Sequence, residues 1–213
     1  MAFNNMFYYL FLCLFFFGIG EFLGVLTKAR LSAVFVSLML FLVCFMTGVI
    51  PPDIIAQAKH IYIVGFRSSS FLAGYLNFYF RLIYDNVTQV QGGAAGTFDQ
   101  LFRVGPGDVV IAICFPRYSE LALKTVQYAK DRGATIIGVT DSEMSPVYQM
   151  SSGSLLVRNE MISFVDSLAA PMSMLNALIL AAAHKQGTDI SATFNELEHV
   201  WDRFGIFGKV EDE

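Results

Sequence analysis

Positive charge in runs is the first thing this chain lacks. Its 213 residues carry 14 Lys+Arg against 18 Asp+Glu, a formal net charge of −4. Nucleic-acid affinity rests on cations clustered against phosphates. No such cluster is present, so no direct nucleic-acid binding is expected. Cysteine is scarce as well: Cys13, Cys44 and Cys114 are all there are. Their spacing suits neither a disulfide framework nor a zinc site. His60, His184 and His199 lie far apart and in no metal-type motif. No metal and no cofactor is expected, and a reducing compartment fits best. Charge of either sign is nearly missing from the first fifty residues, which hold only Glu21, Lys28 and Arg30.

What fills that region is apolar. Residues 6–26 and 31–50 are two long hydrophobic runs, each long enough to cross a bilayer as a helix. Thr27-Lys28-Ala29-Arg30 would join them as a tight hairpin, and Pro51-Pro52 would stop the second helix. A signal peptide fits poorly, because no positive segment precedes the first run. A buried soluble hairpin is the other alternative. Residues 1–53 are therefore expected to be a two-helix transmembrane hairpin, with membrane contact through residues 6–50. Gly18-Ile19-Gly20-Glu21-Phe22 and residues 47–53 resemble the opening of a polytopic transporter-type protein. The positive-inside rule does not orient the hairpin, since Lys28 and Arg30 oppose Lys59 and Arg67.

From His60 the pattern changes. Short apolar runs at 61–64, 86–90, 108–113, 135–140 and 154–157 read as strands. Helical spacing covers 69–84, 96–102, 118–132, 163–184 and 190–204. Continuous apolar strands alternating with helices predict an α/β three-layer sandwich around a five-stranded parallel sheet. For the flavodoxin-like order 2-1-3-4-5 the reversal falls between the first and third strands. Ligands of such sheets bind at the carboxyl ends of strands, where the order reverses. That directs attention to the loops after Val64 and Ile113.

Gly65-Phe66-Arg67-Ser68-Ser69-Ser70 follows the first strand and opens a helix. Cys114-Phe115-Pro116-Arg117-Tyr118-Ser119-Glu120 does the same after the third. Serine at a helix start is an ordinary N-cap, which accounts for one hydroxyl per loop. Free N–H groups, hydroxyls and a guanidinium together also make a phosphate site. Thr140-Asp141-Ser142, after the fourth strand, reads either as a ligand contact or as a capping turn. Cys114 reads as an inert core thiol.

These motifs, with residues 129–146 and Asp166-Ser167-Leu168, resemble the SIS (sugar isomerase) domain over residues 54–185. They are most similar to the effector domain of RpiR/MurR-type transcriptional regulators, without its helix-turn-helix domain. The resemblance implies a SIS phosphosugar-binding domain at 54–187 and a C-terminal helix with an acidic tail at 188–213. It also implies non-catalytic binding of a phosphorylated sugar, with Ser69, Ser68 beside it, and Ser119 matching the family's motif positions. Arg67, Arg117, Thr140 and Ser142 complete the expected set from their own chemistry and place. The family's third-strand loop runs Ser-x-Ser-Gly-x-Thr. Here Cys114 replaces its first serine, Pro116 its second, Arg117 its glycine and Ser119 its threonine. Two alternatives stand: an aldose–ketose isomerase using Glu160, Asp166, His184 or Lys185, and a transporter-linked regulatory domain. A homodimer through residues 172–180 is expected, with packing inside the monomer as the competing reading. Because phosphosugars are cytoplasmic, the domain is expected to be membrane-tethered on the cytoplasmic side.

Overall fold

Five apolar runs become five strands: β1 (Ile61–Val64), β2 (Val87–Val90), β3 (Val109–Ile113), β4 (Thr135–Thr140) and β5 (Gly153–Leu156). They form one parallel sheet in the order β2-β1-β3-β4-β5. The computed structural model describes residues 52–159, 161–162, 165–186 and 190–206. Every residue of β1 and β3 is buried, as a central strand covered on both faces requires. Val64 stands opposite both Val90 and Ala112, and Ala112 opposite Gly138. The carboxyl ends of β1, β3 and β4 are therefore neighbours along one sheet edge.

Seven helices are described: α1 (Pro52–Ala56), α2 (Ser69–Ile83), α3 (Ala94–Leu101), α4 (Glu120–Asp131), α5 (Pro146–Met150), α6 (Ala169–Gln186) and α7 (Ile190–Phe204). On one face of the sheet Tyr62, Val64, Val110, Ala112, Cys114 and Ile136 pack against Leu101, Ala122, Val126, Ala129 and Val147. Those partners come from α3, α4 and α5. Strand alternation turns Ile61, Ile63, Ile111 and Ile113 to the other face. There α2 packs on β1 and β3, and α6 packs on α1 and α2. Leu72, Leu76 and Phe80 of α2, and Leu175 and Leu178 of α6, are fully buried. Burying one such side chain contributes about 1.5–3 kcal/mol.

Local chemistry sets the ends of α4. The Ser119 hydroxyl accepts from the Ala122 N–H at 3.4 Å at its start. At its end Gly133 has φ +86°, its N–H donating to the Lys130 carbonyl and that of Ala134 to the Ala129 carbonyl. This is a Schellman closure, and its left-handed residue favours glycine.

Pro52 opens α1, and proline suits a first helical position, where its missing N–H has no helical partner to lose. The helix that Pro51-Pro52 is expected to stop lies outside the described residues. Two expectations need correction. The helix expected from residue 163 begins at Ala169. Before it, β6 (Met161–Ile162) pairs antiparallel with β7 (Val165–Asp166). Pro171 explains the later start: it is tolerated in a first turn, but deeper inside it would cost the helix a hydrogen bond and clash.

The second correction concerns the membrane tether. Among the described residues no helix is long and apolar enough to cross a membrane. The longest, α6, packs on α1 and α2, buries Leu175, Leu178 and Ile179, and carries His184 and Lys185 in its last turn. The hairpin expected at residues 6–50 lies outside the described residues, and the expected membrane-tethered location is withdrawn.

Candidate functional site

At the reversal of strand order, β1 and β3 each run into a loop that turns sharply before its helix. The first turn needs Gly65. A Cβ there would come within 2.6 Å of the Ser69 carbonyl oxygen and 2.9 Å of the Ala73 Cβ. The loop thus lies directly against the first turn of α2. Both loops then pass through a residue with left-handed backbone: Arg67 at φ 57° and Arg117 at φ 59°. They are the only non-glycine residues with positive φ among the described residues. For an L-residue with a Cβ this conformation costs roughly 1–2 kcal/mol. Arg117 is also the position where the SIS motif has glycine, the residue for which that backbone is free of strain. Both arginine side chains are exposed. Neither guanidinium has a hydrogen-bond or ion-pair partner among the described residues.

The hydroxyls around them are partly committed. Ser69 is buried at 6% exposure in the first turn of α2, and its hydroxyl has no partner among the described residues. Ser68 donates to the Asp166 carboxylate at 2.8 Å, linking the β1 loop to β7. Ser70 donates to the Arg67 carbonyl at 2.6 Å and so braces the left-handed turn. Ser119 caps α4, and the Ser142 hydroxyl accepts from the Met144 N–H at 3.2 Å. Thr140, fully buried, donates to Asp141 at 3.3 Å.

One further bond crosses between loops. The Tyr118 hydroxyl donates to the Asp141 carboxylate at 2.8 Å, joining the β3 loop to the β4 loop. Burial, then the Asp141 hydrogen bond and charge, push the Tyr118 phenol up to about 12. At neutral pH it is a fixed donor. Burial likewise pushes the Cys114 thiol up, against the opposing pull of the Ser119 N–H. Cys114 is therefore a protonated, unreactive thiol at the base of the loop.

Comparison with known proteins matches the SIS domain model to residues 54–181. This chain belongs to the SIS domain family. Among solved structures, the sugar isomerase domain of the RpiR transcription factor from Sphaerobacter thermophilus superposes with a TM-score of 0.66 at 20% identity. That match covers 73% of this chain and 86% of the other. Vibrio vulnificus NanR, complexed with ManNAc-6P, gives 0.62 at 14% identity, over 75% of this chain and 60% of NanR. The c3406 protein of E. coli CFT073 gives 0.57 at 19% identity, over 80% of this chain and all of that one. No curated protein matches by sequence. These likenesses are of fold, which SIS domains of regulators and isomerases share.

The SIS fold thus brings Arg67, Ser68, Ser69, Arg117, Ser119, Thr140 and Ser142 to one edge of the sheet, distributed over the ends of β1, β3 and β4. Sequence reasoning passed over the Tyr118–Asp141 and Ser68–Asp166 pairs. Both partners of the first lay inside quoted motifs, but nothing in a one-dimensional pattern pairs residues 23 positions apart. His60 and His184 stand away from this edge: His60 precedes β1 and bonds Thr88 at 2.9 Å, and His184 is in the last turn of α6. Glu160 lies outside the described residues.

Proposed function

We propose that this SIS domain binds a phosphorylated sugar or a closely related carbohydrate derivative without transforming it, as the sensor part of an RpiR-type regulator would. One observation carries the reading. Two exposed guanidiniums, unpaired among the described residues, stand on left-handed turns at adjacent strand ends. Backbone strain kept at two matching places is what a binding site retains and a plain turn does not. A guanidinium holds a phosphate with two parallel hydrogen bonds. The Ser69 hydroxyl and the N-terminus of α2 add donors beside Arg67. A neighbour of the same fold complexed with ManNAc-6P supports a sugar-phosphate class of ligand.

An isomerase reading requires a base that moves a proton between adjacent sugar carbons. Of the candidates for that role, His184 lies in the last turn of α6, whereas Asp166 bonds Ser68 at the site edge, so the choice between the readings falls to experiment. Self-association is proposed as the response. Phe71, Phe78 and Leu180 are 74%, 57% and 68% exposed on neighbouring helices α2 and α6. Leu175, Leu178 and Ile179 of α6 are turned inward while Met172 and Met174 are half-buried, so the face would involve α2 as much as residues 172–180.

A thermal-shift screen of the full chain tests the ligand class, pairing each phosphorylated sugar with its unphosphorylated parent. Stabilisation by the phosphorylated member alone supports the proposal; equal shifts from both count against it. Incubating the stabilising compound in deuterated water then separates the readings, because carbon-bound deuterium appears only with isomerase chemistry.

A further inference from the structure

The bond between Tyr118 and Asp141 has no part in the binding scheme above, yet it lies next to the residue on which that scheme depends. Tyr118 directly follows Arg117. Its ring is partly buried against the core formed by Cys114, Ala122 and Val126, and its hydroxyl reaches across to the β4 loop at 2.8 Å. Asp141 is held in turn by the Thr140 hydroxyl at 3.3 Å, from a fully buried threonine at the end of β4. The residue after Arg117 is therefore anchored twice, by packing on one side and by a charge-assisted hydrogen bond on the other. Arg117 has a backbone that an arginine leaves unless its surroundings hold it there. On its other side, Pro116 has a fixed φ. The left-handed turn is bracketed between two constraints.

We infer that the Tyr118–Asp141 bond is a positioning latch, which holds the β3 loop so that the Arg117 guanidinium is preset for an anion. Neither latch residue touches the ligand in this account; both act through Arg117. The role of Arg117 rests on the proposed anion site, but the latch itself can be observed without any ligand.

Two measurements on the full-length chain test it, using Tyr118→Phe and Asp141→Asn. Tyr118→Phe keeps the ring and its packing and removes only the hydroxyl. The first measurement is amide hydrogen exchange over residues 114–123 in the free protein. Exchange at least fivefold faster in both variants, with the rest of the sheet unchanged, is the expected result. Exchange unchanged in both overturns the latch, whatever the protein binds.

The second is a double-mutant cycle on phosphate binding, with glucose 6-phosphate and inorganic phosphate as probes. Tyr118→Phe is expected to weaken binding three- to tenfold in the parent and to have no further effect when Arg117 is already alanine. A merely structural role would give the same loss in both backgrounds and would overturn the inference. Failure of the parent to bind either probe, or no effect of Arg117→Ala, would instead overturn the anion site, and with it the purpose assigned to the latch. The exchange result would still show whether the bond restrains the loop.

Discussion

Arg117 occupies a place where glycine would sit without strain, so its side chain and its backbone make opposing demands. Arg117→Gly relieves roughly 1–2 kcal/mol of left-handed strain. It also raises the unfolded-state entropy, which costs about 0.5–1 kcal/mol. Stability measured by urea unfolding should therefore stay level or rise by up to about 1.5 kcal/mol. Affinity for a phosphosugar should fall roughly ten- to a hundredfold, the equivalent of one lost charged hydrogen-bond pair. A variant that loses stability and keeps affinity would mean that Arg117 serves the turn and not a ligand. Gly65 is the opposite case: a methyl group there meets the Ser69 carbonyl at 2.6 Å. Gly65→Ala should destabilise the domain by about 1–3 kcal/mol, visible in thermal unfolding. Much of this was legible at the residue level. Arg67, Arg117 and the serines stood out by type and position, but the left-handed backbone at Arg117, though it falls where the family has glycine, was not expected. Their hydrogen-bond partners were not legible, because Asp166 and Asp141 reach the loops only through the fold.

Among elements, the sheet was the most readable part. Val, Ile and Ala runs bounded by glycine and polar residues mark buried strands, and β1 and β4 match their sequence boundaries. Short elements were harder. α5 has five residues, too few for a periodic signal. Its start was nonetheless encoded, since Ser145 caps it by accepting from the Tyr148 N–H and Pro146 occupies the first turn. The β6–β7 pair was hidden because its two-residue strands offer no alternation to count. The link between the β3 and β4 loops makes a prediction at this level. The folded Tyr118 phenol titrates at about 12, above its usual value near 10. As pH rises, the unfolded state releases that proton first. The stability contributed by the protonated phenol is complete below pH 10 and is lost as pH climbs toward 12. Tyr62 and Tyr84 are raised by burial as well and act in the same direction. Denaturation curves from pH 9 to pH 12 should therefore show a decline that is shallower in Tyr118→Phe.

For the whole molecule, the described residues from Pro52 onward form one compact unit whose sheet is closed on both faces. Fold class followed from pattern, since parallel strands need helical crossovers and those crossovers set the period of the sequence, whereas the strand order came with the resemblance to the SIS domain. The expected tether did not follow, because apolar length describes what a segment can do and not where it lies. Two consequences belong to this scale. Ligand binding to exposed guanidiniums should weaken as ionic strength rises from 0.05 to about 0.5 M, as surface charges are screened. If exposed Phe71 and Phe78 cover a second copy, Phe71→Asp with Phe78→Asp should lower the mass seen by light scattering, without lowering the unfolding temperature.

The claim beneath all of this is that two strained arginines share one anion. Calorimetric titration of a phosphosugar that stabilises the protein, against the parent, Arg67→Ala, Arg117→Ala and the double variant, tests it most directly. The account predicts that each single change costs roughly tenfold or more, that the double variant is non-additive, and that the unphosphorylated sugar binds all four weakly and alike. Undiminished phosphosugar binding by the double variant would contradict it.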